Sequence, residues 1–325
     1  MKFTIFFTLF VMLFSSCKKS KDTIKTWQFV SGSNNSKPIE RHEAAFVSVK
    51  DKFYLLGGRK IKPVSIYNTQ TKEWTIGAKP PVEMHHFQPV VYNNEVYVIG
   101  AFTGKYPLET PIEAIYVYNP ELDAWRIEGK IPKERLRGAT GNCIVGDIVY
   151  ISCGIKNGHT SDHKNWLDAY NLKTKTWSIL PDAPRSRDHF QAVENNGNIY
   201  LLGGRLSKAP KNTFSETIAE VDVYNIKLQE WLTLNTTIPT ERAGAMSVLY
   251  EDYILVIGGE SSRQKTAHND VEGLHTKSLE WKIFPSLKQG RHGSGAILFD
   301  NSIYVASGSG QIGGKPELKT MERWK

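Results

Sequence analysis

The chain has 325 residues, is 40% hydrophobic and 23% charged, and carries a formal net charge of +8. This is a globular composition with no low-complexity tract, large enough for one big β domain or two ordinary domains. The positive balance mildly favours anionic partners. The Lys and Arg residues are scattered rather than run together, which argues against a nucleic-acid protein.

At the N-terminus, Lys2 precedes the apolar run Phe3–Phe14, which is too short to span a bilayer and reads as a secretory signal. The run ends in Leu13-Phe14-Ser15-Ser16-Cys17, which resembles a bacterial lipobox. That resemblance implies a lipoprotein signal peptide over 1–16 with lipid attached to Cys17, a polar tether over 17–25, and one domain over 26–325. Lipid chains tether a protein to a membrane surface without spanning it. The Lys18-Lys19 pair after the Cys is basic rather than an acidic export tag. The expected location is the bacterial cell envelope, on the periplasmic side rather than the cell surface.

Next comes "TWQFV" (Thr26–Val30), a Trp-bearing strand that belongs to no complete repeat. From there the chain repeats itself about every 49 residues, a spacing that signals a repeat architecture. The stretch "YLLGGR" occurs at Tyr54–Arg59 and again at Tyr200–Arg205. Intermediate copies place Gly57-Gly58, Gly100-Ala101, Cys153-Gly154, Gly203-Gly204, Gly258-Gly259 and Ser307-Gly308 in register. Sixteen residues before each pair stand Arg41, Met84, Arg137, Arg187, Arg242 and Arg291. A Trp closes most units (Trp74, Trp125, Trp177, Trp231, Trp281), usually after a Tyr-Asn and before a Pro.

Within a copy, "FQAVENNGNIYLLGG" reads as a hairpin whose two strands are almost continuously apolar, as strands covered on both faces should be. The Gly pair lets the chain bend where a side chain would clash. "VDVYN" supplies a third strand and "QEWLTL" an outer fourth. The last copy has "SIYVASG" and "TMERW" but no fourth strand, so Thr26–Val30 is expected to complete it and close a ring without open edges.

These residues resemble the kelch repeat over essentially 27–325. The resemblance implies an all-β, six-bladed kelch β-propeller closed by the N-terminal strand joining the last blade. Cys143 and Cys153 would lie on adjacent inner strands. With a two-residue turn at Gly146-Asp147, Cys143 opposes Tyr150 and Cys153 points to the other face, so both are expected to be small buried residues and not a disulfide.

The resemblance also implies that ligands approach one end of the ring, lined by the segments entering each first strand and those following each Gly pair. The residues aligned there include Arg41 and Arg187, then His42, Asp188 and His292, then Glu43, His86 and His189, then Arg59, Arg205 and Glu260. An Arg fork suits carboxylate or phosphate, so the candidate ligand-binding residues are Arg59, Arg205, Arg41, Arg187, His42, His189, His292 and Glu260. Arg41 and Arg187 have a competing role, capping blade backbones or pairing with neighbouring acids. Arg59 and Arg205 sit in blades three apart and are expected to face each other across the mouth.

No spacing motif joins the His residues, so no metal and no cofactor are expected. His159 and His163 are read as part of a polar loop. No G-x-S-x-G elbow, G-x-G-x-x-G or G-x-x-x-x-G-K-[ST] is present. Galactose oxidase shares the propeller architecture, but its copper ligands and Cys–Tyr crosslink have no counterpart here. Periplasmic sialic-acid mutarotases resemble the chain in fold and compartment; an Arg for the carboxylate and Glu43, Asp188 or Glu260 as acid–base group would serve that chemistry. The favoured reading is a monomeric, membrane-anchored binding module for an anionic carbohydrate or an acidic protein segment. The alternative is a sugar mutarotase or epimerase, an isomerase acting on an acidic sugar; catalytic residues are left unassigned.

Overall fold

A computed structural model of the chain describes residues 26–325. The expected signal peptide, the expected lipidation site Cys17 and the expected tether lie outside the described residues. Six four-stranded antiparallel sheets follow one another in chain order. The first comprises Ala44–Val49, Lys52–Gly57, Ser65–Asn68 and Glu73–Ile76; the sixth comprises Ala296–Phe299, Ser302–Ala306, Met321–Trp324 and Gln28–Val30. Each sheet is a blade, and the fold is an all-β six-bladed propeller.

The N-terminal strand closes the ring as its sequence predicts. Gln28, Phe29 and Val30 pair with Arg323, Glu322 and Met321. Trp27 takes the place of the missing closing Trp. Its Nε1–H donates to the Pro285 carbonyl at 2.8 Å, just as Trp231 Nε1–H in the fourth blade donates to Pro181 of the third. The fourth blade thus locks to the third through a Trp-to-Pro hydrogen bond, and Trp27 makes the same lock between the sixth blade and the fifth.

Inner strands alternate between blade interfaces and read as apolar on both faces, with Leu55, Leu56, Ile254, Leu255, Val256 and Ile257 wholly buried. Cys143 pairs in register with Tyr150, and both thiols are free and buried. The third-strand Asn residues turn the chain outward: Asn68, Asn119, Asn171 and Asn225 accept backbone N–H groups two or three residues on.

The Gly pairs do what their spacing suggests. Gly57 has φ +71°, and a Cβ there would lie 2.6 Å from the Phe87 ring and 2.8 Å from the Met84 carbonyl. The second position is more demanding, with φ +90° at Gly58 and +116° at Gly259, values that only glycine adopts without strain.

The Arg residues sixteen before each pair belong to this scaffold. Arg41 donates to Gly57 O, Arg137 to Cys153 O, Arg187 to Gly203 O, Arg242 to Gly258 O and Arg291 to Ser307 O. Each reaches across its own hairpin to the carbonyl at the bend. Four also meet a buried carboxylate on the third strand: Asp168, Asp222, Glu272 and Glu322 respectively for Arg137, Arg187, Arg242 and Arg291. Arg41 meets Ser65 at the equivalent position. The expectation that Arg41 and Arg187 line a ligand site is therefore corrected: both are fully buried and turned into their blades.

Candidate functional site

The mouth is built on backbone geometry. One residue after the scaffold Arg, the chain pairs with the residue that follows the Gly pair: His85 with Phe102, Gly138 with Ile155, Asp188 with Arg205, Ala243 with Glu260, His292 with Ser309. The next residue turns left-handed in every blade, with φ of 53° to 66° at Glu43, His86, Ala139, His189, Gly244 and Gly293. A left-handed conformation costs a non-Gly residue on the order of 1 kcal/mol. These residues hydrogen-bond around the axis: His86 N–H to Glu43 O, Ala139 N–H to His86 O, Gly244 N–H to His189 O, Gly293 N–H to Gly244 O. The three of them with polar side chains are thereby delivered to the centre of the ring: Glu43, His86 and His189.

Above them lies a cavity of about 490 Å³ whose lining includes His42, Glu43, Arg59, His159, Arg205 and Glu260. Arg59 and Arg205 therefore do share one chamber, from blades one and four. Each is already paired. Arg59 Nη2 lies 2.5 Å from Glu109 Oε1, and Arg205 Nη1 lies 2.5 Å from Glu260 Oε1. Arg205 is further held by Ser207 and sits over the Phe214 ring, 5.0 Å from its centroid. The Arg59 side chain keeps 21% exposure against 2% for Arg205, so Arg59 is the more accessible of the two cations.

The remaining sequence candidates fall into two groups. His42 and Glu260 line the cavity; His42 Nδ1 is 2.8 Å from Glu317, and Glu260 Oε2 accepts the Gly313 N–H at 2.8 Å. His189 and His292 lie deeper. His189 lines a smaller axial cavity beneath, together with Glu43 and His86, while His292 Nε2 meets the carbonyls of Gln311 and Gly313.

Several lining residues escaped the sequence reading: Tyr106, His159, Thr213, Phe214 and Lys315. They come from long segments after the Gly pairs of blades two, three, four and six, which differ in length and so fall out of register between copies. The stretch around His159 is an ordered hairpin, Ile155–Asn157 with Ser161–His163, and not simply a polar loop. It carries the buried His159 over the axis.

The carboxylates of the mouth are ionised. Burial works to raise Glu109, but hydrogen bonds from His159 and Arg59 outweigh it and hold the group at about 2. Burial likewise opposes the ionisation of Asp188, and His189, His163 and Arg205 carry it well below the ordinary carboxylate value. Burial lowers His189 to about 4, with Arg205 adding to the effect, and lowers His86 well below its usual range. Near neutral pH His86 and His189 are thus neutral imidazoles, set among compensated Arg–carboxylate pairs, and the mouth is rich in directed donors and acceptors.

Such an assembly, six repeated blades with a polar mouth at one end, defines a kelch-repeat propeller. The profile of the Attractin/LZTR1 beta-propeller family matches residues 15–268, and the chain belongs to that family. It is 28% identical over 291 residues to Kelch-like protein terF of Aspergillus terreus, covering 83% of this chain and 61% of the relative. It is 25% identical to human Kelch-like protein 23 over 259 residues, 78% of this chain and 43% of that protein. Alpha-scruin of Limulus polyphemus is 24% identical over 247 residues, 70% of this chain and 25% of that protein. The chain thus spans less than two thirds of these relatives. Among solved structures, that of YjhT superposes with a TM-score of 0.74 at 16% identity, covering 88% of this chain and 95% of that one, which establishes a shared fold.

Proposed function

We propose that this chain is a binding module whose mouth takes a small acidic carbohydrate. The observation that carries the reading is the partly exposed Arg59 guanidinium at a cavity of about 490 Å³. That volume falls within the usual range for small-ligand sites. An Arg fork meets a carboxylate in two parallel hydrogen bonds. Lys315 adds a second cation to the lining, and Tyr106 and Phe214 offer ring faces for a sugar. The buried Arg–Glu pairs and imidazoles beneath match hydroxyl groups rather than a bare anion. An acidic side chain of a partner protein presents the same carboxylate and is the competing occupant.

A glycan array probed with the purified chain, alongside acidic peptides, tests this. Retention of uronic- or sialic-acid glycans over their neutral counterparts is expected. Retention of acidic peptides alone would replace the sugar by a protein segment, and retention of neither would remove the proposal.

The alternative, a sugar mutarotase, is favoured by Glu43 and Glu260 on the same cavity wall, since ring opening and closing needs proton transfer at the anomeric centre. Proton NMR of freshly dissolved sialic-acid anomers decides it: anomer exchange no faster than in buffer leaves binding without catalysis. Anchoring is part of the same proposal. Lipid on Cys17 would hold the propeller at the envelope membrane, and palmitate labelling that persists in Cys17→Ser would refute it.

A further inference from the structure

Three imidazoles meet at the floor of the mouth. His86 enters from the segment before blade two, His189 from that before blade four, and His159 from the hairpin above blade three; all are buried. Their ring centroids lie 4.6 to 4.9 Å apart. One ring nitrogen from each falls within 4.8 Å of the others.

The partners assign the tautomers. Glu109 Oε2 lies 2.9 Å from His159 Nδ1, and an Asp188 oxygen hydrogen-bonds His189 Nδ1. An ionised carboxylate only accepts, so both Nδ1 atoms carry hydrogen. The third case takes one more step. His85 Nε2 lies 3.2 Å from the Gly104 carbonyl, which also only accepts, so His85 donates there and its Nδ1 is a lone pair. That lone pair is 2.6 Å from His86 Nδ1, which must donate to it. A neutral imidazole with hydrogen on Nδ1 has a bare Nε2. All three Nε2 atoms are therefore lone pairs.

Those lone pairs face other acceptors. His159 Nε2 and His189 Nε2 are 2.9 Å apart, and His86 Nε2 is 3.3 Å from Glu43 Oε2. With this set of protons neither contact is a hydrogen bond; each brings two acceptors together in a buried place, an arrangement that needs a shared cation.

We propose that His86, His159 and His189 bind a first-row divalent transition ion of the Zn²⁺ type through their Nε2 atoms. Neutral imidazole suits such ions, and three His ligands with one position left over is the donor set of open zinc sites. Glu109 and Asp188, standing behind two of the ligands, form the carboxylate–histidine arrangement that fixes ring orientation around bound metals. His86, His159 and Glu43 also line the mouth cavity, so the ion's remaining position opens towards it. The neighbouring group of Glu43, Glu260 and His292 offers three donors as well. There Glu260 is held by Arg205 and the Gly313 N–H, and His292 Nε2 faces two carbonyls, so two of the three donors are already engaged within the protein.

The test is metal uptake by the purified full chain, stripped with chelator and titrated with Zn²⁺ and with Co²⁺ as a spectroscopic reporter. Saturation at one ion per chain with a cobalt ligand-field band is expected. His159→Gln should weaken uptake by more than about 100-fold and Glu109→Gln by about 10–100-fold, the range seen for partners behind metal-bound His. Circular dichroism of the stripped proteins separates these losses from misfolding, and if His159→Gln does not fold, Glu109→Gln decides by the same titration. No saturable uptake, which would leave a shared proton between His159 and His189, overturns the site. So does equal uptake by the wild-type chain and either folded variant.

Discussion

Replacing Trp27 by Ala removes the residue that locks the last blade to the fifth. Trp27 is 1% exposed and packs in one apolar cluster with Tyr250, Phe284, Leu287 and Trp324. It stacks on Trp324 at 6.5 Å, and its indole N–H satisfies the Pro285 carbonyl. Truncating a buried Trp costs about 3–5 kcal/mol, and the orphaned carbonyl places this site in the upper half of that range. For a domain of this size each kcal/mol lowers Tm by roughly 2 °C, so a fall of roughly 8–10 °C is expected in a thermal scan. Phe29→Ala, two residues on in the strand that Trp27 precedes, serves as the control: Phe29 is 54% exposed and its loss should stay within about 0.5 kcal/mol. The measurement is thermal or urea unfolding of the full chain followed by tryptophan-independent circular dichroism. Equal Tm values for the two variants would refute the claim that the N-terminal strand closes the ring through Trp27.

The scaffold role of the Arg ring predicts that Arg291→Met, which strands the buried Glu322 carboxylate, costs about 3–5 kcal/mol in urea unfolding. The double variant with Glu322→Leu should be less destabilised than the single one. Gly57→Ala meets Phe87 and the Met84 carbonyl at under 3 Å and should cost at least about 2 kcal/mol, whereas Gly146→Ala, with open space around it, should cost no more than about 1 kcal/mol. Burial raises the Cys153 thiol to about 12 and pushes Cys143 up further, so neither should react with a thiol reagent until the chain is unfolded.

The blades were legible because each is a local unit: a hairpin and two further strands repeat the same apolar pattern, and a ring of such units leaves one strand to be found. The register of Cys143 with Tyr150 followed from turn length alone. The role of the Arg ring was also written in the sequence, in a correlation that the mouth alignment did not use. Blades three to six carry an acid at the equivalent position of the third strand: Asp168, Asp222, Glu272 and Glu322. Blade one has Ser65 there; blade two, where Met84 replaces the Arg, has Tyr116. Four of the five Arg copies carry the acid and the copy without the Arg lacks it, because a buried guanidinium needs a partner; Arg41 finds Ser65 and backbone carbonyls instead. The floor of the mouth was less legible. Glu43, His86 and His189 stood in the aligned ring, but their convergence depends on a left-handed turn at non-Gly residues, which propensity argues against. His159 and Phe214 arrive on insertions of unequal length, so no alignment of copies brings them together.

The central claim is that the mouth, through Arg59, receives the carboxylate of an acidic sugar. Calorimetric titration of the best acidic glycan into the wild-type chain, Arg59→Ala and Arg126→Ala tests it most directly. Arg126 lies on an outer strand of blade two, paired with Glu95 and 41% exposed in its side chain, and shares only its charge with Arg59. A charge-assisted hydrogen bond is worth about 1.5–3 kcal/mol, so Arg59→Ala should weaken binding by about 10–100-fold while Arg126→Ala leaves it unchanged. Equal affinities for all three proteins, or a loss confined to Arg126→Ala, would contradict the account.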